Sequence, residues 1–113
     1  MALTLWHNPR CSKSRQTLQL LRDKGLEPEI RLYLSDPPSV QELQTLLDQL
    51  NLSAHDLARK SEAVFKEQSL KNADDATLIS AMAEHPILIE RPILIAANKA
   101  AIGRPPEAVL AIL

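Results

Sequence analysis

Apolar and polar positions alternate along this chain in two different rhythms, and the rhythms predict most of its elements. Residues 2–7 carry a strand's period of two around Leu3-Thr4-Leu5-Trp6. A helical pattern follows over residues 13–24, with Leu18, Leu20 and Leu21 on one face and Gly25 placed to end it. Residues 28–34 alternate again: Ile30, Leu32 and Leu34 point one way, Glu29, Arg31 and Tyr33 the other. That predicts a second strand with one wet face. Asp36-Pro37-Pro38 breaks it, and Ser39 with Glu42 has the spacing of a capping box. Leu43, Leu46, Leu47 and Leu50 then mark the inner stripe of a second helix.

Residues 51–75 read as short helices and loops. Ser53 is placed to cap a turn running to Arg59, and Val64-Phe65 to anchor another. Asp75 is placed to cap a helix over 76–85, with Leu78, Ile79 and Met82 inward and His85-Pro86 closing it. Two apolar triplets follow, Pro86-Ile87-Leu88-Ile89 and Pro92-Ile93-Leu94-Ile95, separated by Glu90-Arg91. They predict two short strands forming a hairpin. Gly103-Arg104-Pro105-Pro106 is a turn, with Pro106 and Glu107 suited to open a last short helix carrying Val109, Leu110 and Leu113. The order β-α-β-α, helices, β-β-α predicts an α/β fold: a small mixed sheet flanked by helices.

Composition narrows the function. The chain has 113 residues, 45% hydrophobic and 24% charged, with a net charge of −1. That fits a single globular domain and gives no electrostatic reason to expect nucleic acid. No apolar run reaches the roughly 20 residues a membrane span needs. No signal peptide is visible at the N-terminus. The single cysteine forms no internal disulfide, and a reducing cytoplasm is the expected setting.

That cysteine, Cys11, falls in His7-Asn8-Pro9-Arg10-Cys11-Ser12-Lys13-Ser14-Arg15, where the first strand gives way to the first helix. Backbone N–H groups of a first helical turn lack intrahelical partners and carry partial positive charge. A thiol there ionises more easily, and the same groups can hold an oxyanion. Its neighbours are polar or turn-forming, unlike those of a core cysteine. Arg10, Lys13 and Arg15 add positive charge in the sequence around it. Cys11-Ser12-Lys13-Ser14 is C-x-x-S: Ser14 stands where a resolving thiol would be, so an external thiol is needed, while its hydroxyl could donate to Cys11. His7 is a candidate proton carrier, and Asn8 a loop-holding residue.

Three arginines stand in special contexts: Arg59 after a short helical turn, Arg91 before Pro92 between the apolar triplets, and Arg104 before Pro105-Pro106. A guanidinium donates paired hydrogen bonds to a tetrahedral oxyanion. A proline at Pro92, close to a thiol site, is a candidate for a cis bond. No His/Cys cluster has metal-ligand spacing, so no bound metal or cofactor is expected. Two glycines in total exclude glycine-rich nucleotide motifs.

These segments together resemble the ArsC family, the glutaredoxin-dependent arsenate reductases and their relatives. The matching runs are residues 7–15, Leu32-Tyr33-Leu34 with Pro37-Pro38-Ser39, Leu57-Ala58-Arg59-Lys60, His85 through Ile93, and Gly103-Arg104-Pro105-Pro106-Glu107. The resemblance spans nearly the whole chain. It implies one thioredoxin-like domain over 1–113 with a helical insertion at about 35–85. It also implies Cys11 as nucleophile, with arsenate held by Arg59, Arg91 and Arg104. His7, Asn8, Ser14, Arg15 and Pro92 would support them, Pro92 as the cis-proline. A thioarsenate adduct on Cys11 would pass to glutathione as co-substrate, and glutaredoxin would regenerate the thiol. Two alternatives stand beside arsenate reduction. One is a glutathione-dependent thiol–disulfide reductase, the other an Spx-like regulator that binds RNA polymerase. Ser14 argues against the second, because that branch typically carries C-x-x-C.

Overall fold

The computed structural model describes residues 2–113, which divide into two compact units. The first runs to Asp36 and resumes at Arg91–Leu113; the second is Pro37–Glu90.

The first unit is a four-stranded mixed sheet. Strand β1 (Leu3–Trp6) pairs in parallel with β2 (Glu29–Arg31) and antiparallel with β3 (Ile93–Ala96), which pairs antiparallel with β4 (Lys99–Ile102). The spatial order is β2-β1-β3-β4. Helix α1 (Ser12–Asp23) connects the two parallel strands, as a parallel pair requires. Gly25 ends its C-terminal turn at φ +76°, where a side chain would be strained. A 3₁₀ helix, Pro106–Ile112, packs on α1 and β4. The core of this unit joins Leu3, Leu5, Leu21, Leu94, Ala96 and Val109. The result is a thioredoxin-like sheet with flanking helices.

The second unit is helical: α2 (Val40–Leu50), α3 (Ala54–Leu57), α4 (Ala63–Glu67) and α5 (Asp75–Glu84), then a 3₁₀ turn Pro86–Leu88. Ser39 and Glu42 form the expected capping box on α2, and Ser53 forms a second with Asp56 on α3. Helix α5 packs against α2, α3 and the 3₁₀ turn. Leu43, Leu46, Leu57, Leu78, Met82 and Leu88 are fully enclosed.

The structure corrects several expectations. Strand β2 has only three residues, and the apolar set at 28–34 is not its buried one. Ile30, Leu32 and Leu34 are the exposed positions, while Tyr33 is buried. Period two fixes which residues share a face but not which face is dry. The first apolar triplet is no strand: Pro86 starts a 3₁₀ turn, and only Ile89 makes an isolated bridge, to Ala58. The hairpin is β3–β4, turned by Ala97 at φ +55°. The cap of α5 is Asp74, one residue earlier than expected, accepting from the Thr77 N–H. Among the described residues, no helix is long and apolar enough to cross a membrane.

Candidate active site

The loop from β1 to α1 is held by its own backbone and side chains. His7 N–H donates to Arg31 O (2.9 Å), so the end of β1 stays tied to the end of β2. Asn8 Oδ1 accepts from Arg10 N–H (3.0 Å) and Asn8 O from Cys11 N–H (3.0 Å). Arg15 reaches back to Pro9 O (2.8 Å). Asn8 is therefore the loop-holding residue its type suggested.

Cys11 is the N-cap residue of α1, with extended backbone (φ −92°, ψ 123°). Its carbonyl accepts the first helical bond, from Arg15 N–H (3.0 Å). The sulfur sits where a capping oxygen would be, facing the N–H groups of the first turn. Partial burial acts on the thiol first and would raise its pKa. The Ser14 N–H, the Arg91 charge, the Lys13 N–H and the Arg104 charge outweigh that cost and hold it below an ordinary cysteine.

The cations acting on the sulfur are therefore distant in sequence. Arg10, Lys13 and Arg15 were the expected source of charge, yet Arg15 is turned to Pro9 O and the other two contribute no guanidinium or ammonium to this balance. Arg104 Nη2 lies 3.9 Å from Cys11 Sγ, and its Nε donates to Arg91 O (2.8 Å). One guanidinium thus joins the β3 entry to the sulfur. The Arg91–Pro92 and Arg104–Pro105 peptide bonds are both cis. Pro92 matches its expectation.

Ser14 does not serve as expected. Its hydroxyl is fully buried, accepts from Asn8 N–H (3.0 Å) and lies 2.7 Å from His7 Nδ1. The Ser14 hydroxyl and His7 Nδ1 thus share one hydrogen bond, so the hydroxyl is engaged away from the sulfur. Only the Ser14 backbone N–H serves the thiol. His7 is buried and stays neutral: desolvation, then Arg22 and Arg15, push its pKa down. It shapes the loop through Ser14 and makes no contact with the sulfur among the described hydrogen bonds.

Arg59 belongs to the second unit. Its N–H donates to Leu88 O (2.7 Å), and its guanidinium is held by Glu62 (2.7 Å) and Glu90 (3.7 Å). The structure brings Cys11, Arg91 and Arg104 together within the first unit, with His7, Asn8, Ser14, Arg15 and Pro92 around them.

Two residues of the site were not singled out from sequence. A Cβ built on Gly103 would lie 2.6 Å from Thr17 Oγ1 and 2.7 Å from Pro92 Cγ. Gly103 N–H also donates to Pro92 O (2.9 Å). Only a bare backbone fits there, and it sets Arg104 down beside α1. Thr17 is fully buried and donates to Lys13 O (2.9 Å). A signal for it existed. Ser14, Thr17 and Leu21 have helical spacing, and they form the buried stripe of α1, while Leu18 and Leu20 are only partly covered.

Cys11 thus stands at a helix N-terminus with the Arg104 guanidinium 3.9 Å from its sulfur, the Arg91 charge acting on it, and a cis-proline directly after Arg91. The family model described as the ArsC family matches residues 6–112. The chain belongs to the ArsC family. Among its curated relatives, the uncharacterized protein YfgD of Escherichia coli K12 is 50% identical over 96% of this chain and 93% of its own length. An arsenate reductase of Haemophilus influenzae is 47% identical over the full length of both. A solved arsenate reductase from Vibrio cholerae superposes with a TM-score of 0.96 at 47% identity, covering 100% of this chain and 98% of its own.

Proposed function

We propose that this protein is an arsenate reductase using Cys11 as nucleophile, with glutathione and glutaredoxin as reductants. The carrying observation is the sulfur flanked by the α1 N-terminus, Arg91 and Arg104. Similarity to named arsenate reductases supports the choice of substrate.

In the proposed reaction the Cys11 thiolate attacks arsenic and displaces one oxygen as water, giving a thioarsenate in which arsenic is still pentavalent. Arg91 and Arg104 would balance the anionic oxygens. The thiolate of glutathione then attacks Cys11 Sγ. A sulfur–sulfur bond forms, the sulfur–arsenic bond breaks, and its electron pair leaves with arsenic as trivalent arsenite. Glutaredoxin takes up the glutathionyl group and returns Cys11 as a thiol. A reducing cytoplasm suits that cycle. Ser14 enforces the external reductant, because its oxygen cannot form a disulfide with Cys11.

The test is arsenate-dependent consumption of reducing equivalents with glutathione, glutaredoxin and glutathione reductase, run beside a generic disulfide substrate. Turnover with arsenate that vanishes in Cys11→Ser is expected. Turnover of the disulfide with none of arsenate would replace this reading by that of a thiol–disulfide reductase.

A further inference from the structure

The loop that follows β1 leads to Cys11, and the sheet order gives that strand different neighbours on its two sides. On the β3 side are Arg91 and Arg104. On the β2 side is a groove of about 320 Å³, walled by the loop from His7 to Arg10 and by Leu32, Leu34 and Ser35. It opens beyond the carboxyl ends of two adjacent parallel strands, a recurrent place for ligands in α/β sheets. Its size is that of a small-molecule site.

The walls are preformed. Asn8 and Arg15 fix the loop, and Leu32 O accepts from both Ser35 N–H and Asp36 N–H (2.9 Å each), fixing the opposite turn. Leu32 is 45% exposed and Leu34 41%, an apolar pair left in solvent next to a reactive loop. Arg10 is exposed, directly precedes Cys11 in the chain, and its guanidinium has no hydrogen bond or ion pair among the described residues. The groove therefore offers apolar walls and, from Arg10, one uncommitted cation on the residue next to Cys11 in the chain.

Displacement at sulfur requires the incoming thiolate to approach opposite the departing group. A group leaving toward Arg91 and Arg104 leaves the β2 side for the incoming thiol. We propose that the groove between the His7–Arg10 loop and the Leu32–Ser35 turn is the reductant subsite, which seats an anionic thiol peptide with a carboxylate on Arg10 and its backbone along Leu32 and Leu34. Glutathione has that chemistry. This inference rests on the reading that Cys11 passes its oxidised form to an external thiol, and it does not require arsenate to be the substrate.

The test uses Cys11 carrying a thionitrobenzoate disulfide. An attacking thiol forms a new disulfide with Cys11 and releases the coloured thionitrobenzoate anion with the electron pair of the broken bond. Three thiols are compared at equal thiolate concentration: glutathione, the neutral mercaptoethanol and the small anion mercaptopropionate. Glutathione should react by saturable kinetics and fastest. Arg10→Gln and Leu34→Ser should each cut its advantage over mercaptoethanol by up to about tenfold, while the rates of both small thiols stay within about twofold. S-methylglutathione, which has no thiol, should inhibit the glutathione reaction of the unaltered protein. Three results would overturn the proposal: equal slowing of all three thiols, no saturation by glutathione, or no inhibition by the methylated peptide. Both substituted positions are exposed, and thermal melts show whether the fold survives. Retained glutathione selectivity in a protein that fails to reduce arsenate would support the subsite while removing the arsenate reading.

Discussion

Arg104 Nη2 lies 3.9 Å from Cys11 Sγ although 93 residues separate them in the chain. At that distance a unit-charge pair is worth about 1 kcal/mol in water and about 4 kcal/mol near a protein surface. Even the lower end moves a thiol by close to one pH unit. Arg104→Ala should therefore raise the pH midpoint of Cys11 alkylation by iodoacetamide and weaken oxyanion binding. The wild-type midpoint should lie below that of an unperturbed cysteine thiol. Because the folded pKa is lowered, the thiolate contributes stability above the unfolded pKa, and that contribution fades as pH falls through the folded one. An unchanged midpoint in the variant would remove Arg104 from the site.

Gly103 holds the turn that delivers this guanidinium. Gly103→Ala must displace Thr17, Pro92 or the turn itself, since the added Cβ meets the first two at 2.6 and 2.7 Å. The expected cost is about 1–3 kcal/mol in stability, with the alkylation midpoint shifted upward as Arg104 moves off the sulfur. Chemical denaturation and the alkylation profile, measured together, separate the two effects.

The His7–Ser14 pair predicts a pH dependence of stability. Burial keeps His7 neutral in the folded chain, and the unfolded chain protonates it near its ordinary value of 6.5. The unfolded state then binds more protons, so stability is full above about pH 6.5 and falls as pH drops toward the lowered folded pKa. His7→Gln should flatten that slope in denaturant titrations. Ser14→Ala, which leaves Asn8 N–H without its acceptor, should cost about 1–3 kcal/mol.

The capping box on α2 serves the second unit alone. Ser39→Ala should cost about 1 kcal/mol by denaturation. The Cys11 alkylation profile should not move, because Arg91, Arg104 and the α1 N–H groups that set it all lie in the first unit.

Sequence patterning carried the local layer of this protein. Both capping motifs at Ser39 and Ser53, the inner stripe at Leu43, Leu46 and Leu47, and the Cys11 position at a strand-to-helix junction follow from contacts within a few residues. Such contacts depend on spacing alone, and spacing is written in the chain. The segments that mark the ArsC family were legible for the same reason.

What the tertiary structure decided is every choice between equivalent local options. The alternation at 28–34 allowed either face to be buried, and the structure buries Tyr33 and exposes Leu32 and Leu34. The two apolar triplets are alike in sequence, but only the second pairs with β1 and β4 as a strand. Positive charge crowds around Cys11 in the sequence, yet Arg15 turns to Pro9 O while Arg91 and Arg104 arrive with the β3–β4 hairpin. Coulomb energy depends on distance in space, and only the closed sheet sets that distance.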